Sequence, residues 1–142
     1  MMYLLDINVL IALFDTAHEH HEAAHRWYGG RRPWASCSIT ENGLIRIASS
    51  SAYPGDLGNP HDISLQFNAF KQGSSHSFWN CQVSISSPAL FRLKPLGGPK
   101  HLTDIYLLGL AVSHRSRLAT FDRSIPGEAV IGGSEALETI PA

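Results

Sequence analysis

His21-Glu22-Ala23-Ala24-His25 fits H-E-x-x-H, in which two histidines one helical turn apart bind zinc and the glutamate acts as general base. A peptidase of that kind needs a third protein ligand. The extended form H-E-x-x-H-x-x-G-x-x-H is absent, because Arg26-Trp27-Tyr28-Gly29 follows His25. The surrounding string HEHHEAAH is dense in histidine, so a chance match is easy. The stretch reads as a solvated helix face with Trp27 packed inward. There His21 and His25, on one face at i and i+4, could take up zinc or nickel only adventitiously.

A second set of chemically capable residues is dispersed along the chain. Of 12 acidic residues, four adjoin apolar segments: Asp6 after MYLL, Glu41 after Thr40, Asp104 after Thr103 and Asp122 after RLATF. Singly, each has an ordinary explanation. An acid in the first turn of a helix complements its dipole by about 0.3–1 kcal/mol, and an Asp at a strand end is turn chemistry. Whether the four act together depends on the elements that carry them.

Residues 2–5 read as a buried strand, with Asn8 capping a helix through VLIALF. Residues 18–28 read as a second helix, capped by Asp15 or Thr16 and stopped by Gly29-Gly30. A strand over 34–39 leads into a helix through ENGLIRIAS capped by Thr40. Residues 49–61 are loop by composition, 62–71 a helix and KQGSSH a loop. The alternation in CQVSIS predicts a strand over 81–86. After a flexible loop over 94–101, Thr103 caps the helix DIYLLGLAVSHR, and RLATF (117–121) and AVI (129–131) are the last strands. Strands alternating with helices predict a single α/β domain over 1–142, with a largely parallel sheet and helices on both faces.

In such a sheet, strand carboxyl ends and the N-termini of the following helices share the edge where ligands bind. All four acids fall on that edge. Like charges gathered there raise one another's pKa and destabilise the fold; a divalent cation resolves the conflict. Oxygen ligands with open water positions suit Mg²⁺ or Mn²⁺ rather than zinc. Such an ion activates water and stabilises charge developing on a phosphate.

Bulk properties narrow the setting. With 44% hydrophobic and 16% charged residues, the chain can fold as an ordinary globule. No apolar run approaches the roughly 20 residues needed to span a bilayer, and the N-terminus lacks the features of a signal peptide. Cys37 and Cys81 fit no metal spacing and read as buried strand residues in a reduced, cytoplasmic protein. A net charge of −1 gives no overall basic footprint, so nucleic acid would be met by local cations or bound metal.

LLDINVLIALF, TENGLIRI, LTDIYLLGLA and RLATFDRSI, in this order and spacing, resemble a PIN domain. More closely, the chain resembles the VapC ribonuclease toxins of bacterial toxin–antitoxin pairs, from the first strand to about residue 132. The resemblance implies a five-stranded parallel sheet and a Mg²⁺-dependent endoribonuclease leaving 5′-phosphate and 3′-hydroxyl ends, with Mn²⁺ as substitute. It implies an acidic quartet of Asp6, Glu41, Asp104 and Asp122. The three aspartates would hold the metal, and Glu41 would orient water or help hold a second ion. Asn8 would be the polar residue of the D-x-N start and Thr120 the hydroxyl beside the last acid. A homodimer and a VapB-like antitoxin, its C-terminal tail in the active-site groove, are implied as well.

Other residues keep two readings. Arg46 and Arg123 fit RNA phosphate contacts or surface ion pairs equally. Lys100, with Lys94 and His101, lies in or beside a Gly/Pro loop that either steers RNA or is simply solvated. Arg31 and Arg32 read as a solvated turn. Trp34, Phe78 and Trp79 fit core or dimer packing better than base stacking. A catalytically weak RNA-binding module is the competing function, disfavoured by the presence of all four acids.

Overall fold

Tyr3, Leu4 and Leu5 form β1 (Tyr3–Leu5), and all three are buried, as a central parallel strand covered on both faces requires. The computed structural model describes residues 1–142. After β1 come α1 (Ile7–Phe14), α2 (His21–Tyr28), β2 (Trp34–Cys37), α3 (Ser38–Ala48), α4 (Pro60–Gln72) and β3 (His76–Trp79). Then follow α5 (Leu102–Ser113), β4 (Arg117–Thr120) and β5 (Leu137–Thr139). The five strands lie in the order β3-β2-β1-β4-β5, and every pairing is parallel. No helix is long and apolar enough to cross a membrane.

Alternation along β1 divides the core. Tyr3 and Leu5 pack with α1, α2 and the inner faces of α3 and α4, including Leu10, Trp27, Leu44 and Phe67. Leu4 packs on the opposite face with Ile105, Leu108 and Leu118 from α5 and β4. The chain winds outward from β1 to β2 and β3, then returns to place β4 on the other side of β1. That reversal opens a crevice between the carboxyl ends of β1 and β4, the place where ligands bind in open α/β sheets.

Several expected boundaries move. Residues 81–86 form no strand; Cys81, Val83 and Ile85 pack against the α5-side core, and their alternation reflects that burial without pairing. One edge strand is His76–Trp79, which overlaps the end of the expected KQGSSH loop and pairs with β2 from Trp34↔His76 to Cys37↔Trp79. Val130 makes only an isolated antiparallel bridge to Phe91, and the fifth strand is Leu137–Thr139. The first helix is capped by Asp6, not Asn8. The second starts at His21 rather than within the turn that Asp15 begins. Thr40 lies inside the first turn of α3, where its Oγ1 accepts the Cys37 N–H at 3.0 Å. Thr103 likewise lies inside α5.

Close approach of elements relies on glycine at two places. A Cβ on Gly43 would meet Ile7 Cδ1 at 2.4 Å, so α3 lies directly on α1. One on Gly109 would meet the Phe91 ring at 2.2 Å, so the 81–93 segment lies directly on α5.

Candidate active site

Asp6 follows β1 directly and is only 4% exposed. Its Oδ1 accepts the Ile7 N–H at 2.8 Å, which caps α1, and its Oδ2 accepts the Thr120 hydroxyl at 2.9 Å. Thr120 Oγ1 also accepts the Asp122 N–H at 3.0 Å, so one buried hydroxyl ties the ends of β1 and β4 together. Burial, and then the neighbouring Asp104 charge, push the Asp6 carboxyl up to about 6. The hydrogen bonds from Thr120 and Ile7 work against that rise but do not cancel it.

Asp104 stands in the first turn of α5, and burial raises its pKa. His101 places Nδ1 3.4 Å from Asp104 Oδ2. Asp122 is held below the usual carboxylate range because its Oδ1 accepts both the N–H and the hydroxyl of Ser124, at 2.8 and 2.6 Å. Ligand atoms of His101, Asp104 and Asp122 all lie within 4.8 Å of one another. The crevice therefore holds one firmly ionised carboxylate and two that burial keeps from ionising easily. A divalent cation fits that donor set: it compensates the repulsion, and mixed carboxylate and imidazole ligands accept Mn²⁺ as well as Mg²⁺.

Glu41, expected as the fourth acid, takes other partners. Lys71 Nζ on α4 lies 3.2 Å from Glu41 Oε2, and the Ser36 hydroxyl donates to the same oxygen at 2.6 Å. His76 lies 2.7 Å from Ser36 Oγ, completing a chain across β2 and β3. A lysine from α4 thus compensates the Glu41 charge, while the ligand atoms that cluster are those of His101, Asp104 and Asp122, with Asp6 coupled to them by charge. The His101–Asp104 contact has a signal in the sequence, since residues three apart at a helix start come together, although a Gly/Pro loop beside it equally reads as simple solvation.

The zinc reading of HEAAH does not survive the geometry. His21 Nδ1 lies 2.7 Å from the Ala12 carbonyl oxygen and His25 Nε2 lies 2.8 Å from that of Leu13. Each ring N–H donates to a carbonyl that the end of α1 leaves without a helical partner. The motif fastens α2 onto α1, and Trp27 packs inward as expected.

Arg46, Lys100 and Arg123 are exposed, and none forms an ion pair. Arg46 lines a groove of about 470 Å³ with Ile7, Asn42 and Thr103, beside the crevice. Lys100 contributes to the lowered Asp122 pKa. Asn8 is exposed next to Asp122. Arg32 is not simply solvated: its guanidinium lies over the Tyr3 and Trp27 rings. Trp34 and Trp79 are buried, Trp79 stacked on His114, while Phe78 is 51% exposed. Burial pushes the Cys37 thiol up, away from nucleophilic use.

A PIN-domain family profile matches residues 3–127. The chain belongs to the PIN-domain family. Among curated relatives of this PIN domain, Ribonuclease VapC44 of Mycobacterium tuberculosis is 44% identical over 137 residues, 95% of this chain and 96% of the relative. Ribonuclease VapC39 of the same organism is 34% identical over 139 residues, 96% and 100% of the two chains. Two solved structures share the fold. One is VapBC2 from Rickettsia felis bound to a DNA fragment from their promoter, with a TM-score of 0.61 and 14% identity over 99% of this chain and all of that one. The other is a toxin–antitoxin complex from Klebsiella pneumoniae, with a TM-score of 0.59 and 20% identity over 96% of each chain.

Proposed function

We propose that this PIN domain is a divalent-metal-dependent endoribonuclease and the toxin of a type II toxin–antitoxin pair, acting in the cytoplasm and using Mg²⁺ with Mn²⁺ as substitute. The observation that carries the reading is the cluster of His101, Asp104 and Asp122 ligand atoms, with Asp6 near enough that burial and the charges of Asp104 and Asp122 push its carboxyl up to about 6. Full-length relatives named as ribonucleases support the choice of RNA, and the toxin–antitoxin complexes of like fold support a protein antitoxin partner. We extend the reading to a homodimer on the strength of the family resemblance.

Asp6, Asp104 and Asp122 would hold the metal, with His101 contributing its imidazole or orienting Asp104. When bound, the ion supplies water activation and stabilisation of charge developing on the phosphate. Thr120 keeps Asp6 and Asp122 at a fixed separation, and Ser124 keeps Asp122 ionised and aimed. Arg46 and Lys100, with no ion-pair partner, are free to receive flanking phosphates, and Arg123 stands beside Asp122 for the same purpose. Asn8, exposed beside Asp122, would contact the substrate at the rim. Glu41 anchors the start of α3 rather than holding the metal.

Purified protein, freed of antitoxin, incubated with total bacterial RNA in EDTA, Mg²⁺ or Mn²⁺ tests the reading. Discrete fragments that require metal and vanish in Asp104→Asn are the expected result. Intact RNA under every metal, with folded protein, would overturn it.

A further inference from the structure

The string HEHHEAAH divides into two halves with different surroundings. His21 and His25 are spent on the end of α1. The preceding residues, His18, Glu19 and His20, form a turn that is displayed beside the metal crevice. Together with Phe121, Asn8 and Asp122 they wall a hollow of about 310 Å³. That volume lies at the small end of ligand sites, and the hollow shares Asp122 with the metal cluster. We propose that this hollow is a nucleobase subsite, which seats the base flanking the scissile phosphate and selects guanine. The proposal rests on the ribonuclease reading given above.

Three observations converge on it. The first is contiguity: Asp122 belongs both to the metal cluster and to the wall of the hollow, so a phosphodiester at the cluster would have its neighbouring nucleotide at the hollow's mouth. The second is a stacking platform. The His20 ring lies on Phe121, with centroids 4.7 Å apart and planes within 22°, and the His18 ring stands 5.7 Å from His20. Aromatic faces at the rim of a phosphodiester site bind single-stranded bases by stacking, whatever their identity.

The third observation concerns the edge of the base. His18 Nδ1 accepts the His20 N–H at 3.0 Å, so its proton resides on Nε2, a free donor. Glu19 is 82% exposed, and its only partner is His20 Nε2 at 3.6 Å. Its carboxylate is therefore an available acceptor on the pocket wall. Among the four RNA bases only guanine presents two adjacent donors, N1–H and N2–H, on its Watson–Crick edge. Adenine, cytosine and uracil each set a lone pair beside their donor, which a carboxylate repels. The His18 Nε2–H suits the acceptor edge of guanine, N7 and O6.

The test is a randomised single-stranded RNA pool cleaved by the antitoxin-free protein with Mn²⁺, with fragment ends sequenced for wild type, Glu19→Gln, His20→Ala and His20→Phe. We expect guanine enrichment at one position adjoining the cut in wild type and its loss in Glu19→Gln, with cleavage redistributed to other sequences. His20→Ala should raise KM roughly tenfold with a smaller change in kcat, and His20→Phe, which keeps the stack, should restore it. Thermal melts establish that each variant folds, as expected for exposed Glu19 and half-buried His20. A wild-type protein that cleaves no RNA overturns the ribonuclease reading and this one with it. A wild-type protein that cleaves, with end distributions and KM shared by all three variants, overturns the subsite alone.

Discussion

At the scale of single residues, the dominant fact is an aspartate kept from ionising. Asp6 has a pKa of about 6 in the fold against 3.8 as its ordinary value. Between those values the folded protein retains a proton that the unfolded chain has released, so metal-free stability falls as pH rises from about 4 to 6. Asp6→Asn removes the buried charge. It should stabilise the metal-free protein at pH 8 by up to about 3 kcal/mol, with little gain at pH 4, while abolishing cleavage; melts at the two pH values check it. Glu41 makes the opposite case, since Lys71 already compensates it. Titration with Mn²⁺ followed by calorimetry should show binding within a few-fold of wild type for Glu41→Gln and at least tenfold weaker for Asp104→Asn. Equal losses in the two variants would return Glu41 to the metal site. The trio was legible as candidates, because each aspartate adjoins an apolar segment. The pairing of Glu41 with Lys71 was not, because Lys71 lies 30 residues further on.

At the scale of elements, close packing and helix ends carry the argument. Gly109→Ala would drive a methyl into the Phe91 ring and should cost about 1–3 kcal/mol in denaturant melts, as overpacking does. His21→Ala with His25→Ala removes both bonds to the end of α1 and should cost about 1 kcal/mol for each bond. The folded double mutant should still cleave RNA, and an inactive but folded one would reopen the zinc question. The element types of β1, α1, α5 and β4 were readable from their apolar runs. The edge strand was not: HSFW is short, and its identity as a strand comes from pairing with β2. CQVSIS shows the converse, a strand-like alternation produced by one-sided burial with no strand beside it.

At the scale of the whole molecule, metal binding couples to both protonation and stability. On the proposed assignment of Asp6 as a ligand, an entering metal would displace the Asp6 proton, so apparent affinity should rise with pH through about 6 and level off above. Calorimetry in buffers of different ionisation enthalpy reads the released proton directly. An ion held by the folded crevice and not by the unfolded chain would also make Mn²⁺ raise Tm in a concentration-dependent way. By itself the sequence determined the alternation of strands and helices, the apolar faces and the acids that end β1 and β4, since these are local properties of the chain. Only the tertiary structure decided which acids meet, that Glu41 is paired elsewhere, and that HEAAH fastens two helices. Those outcomes depend on the reversal between β1 and β4 and on contacts between residues far apart in the chain, which no local pattern encodes.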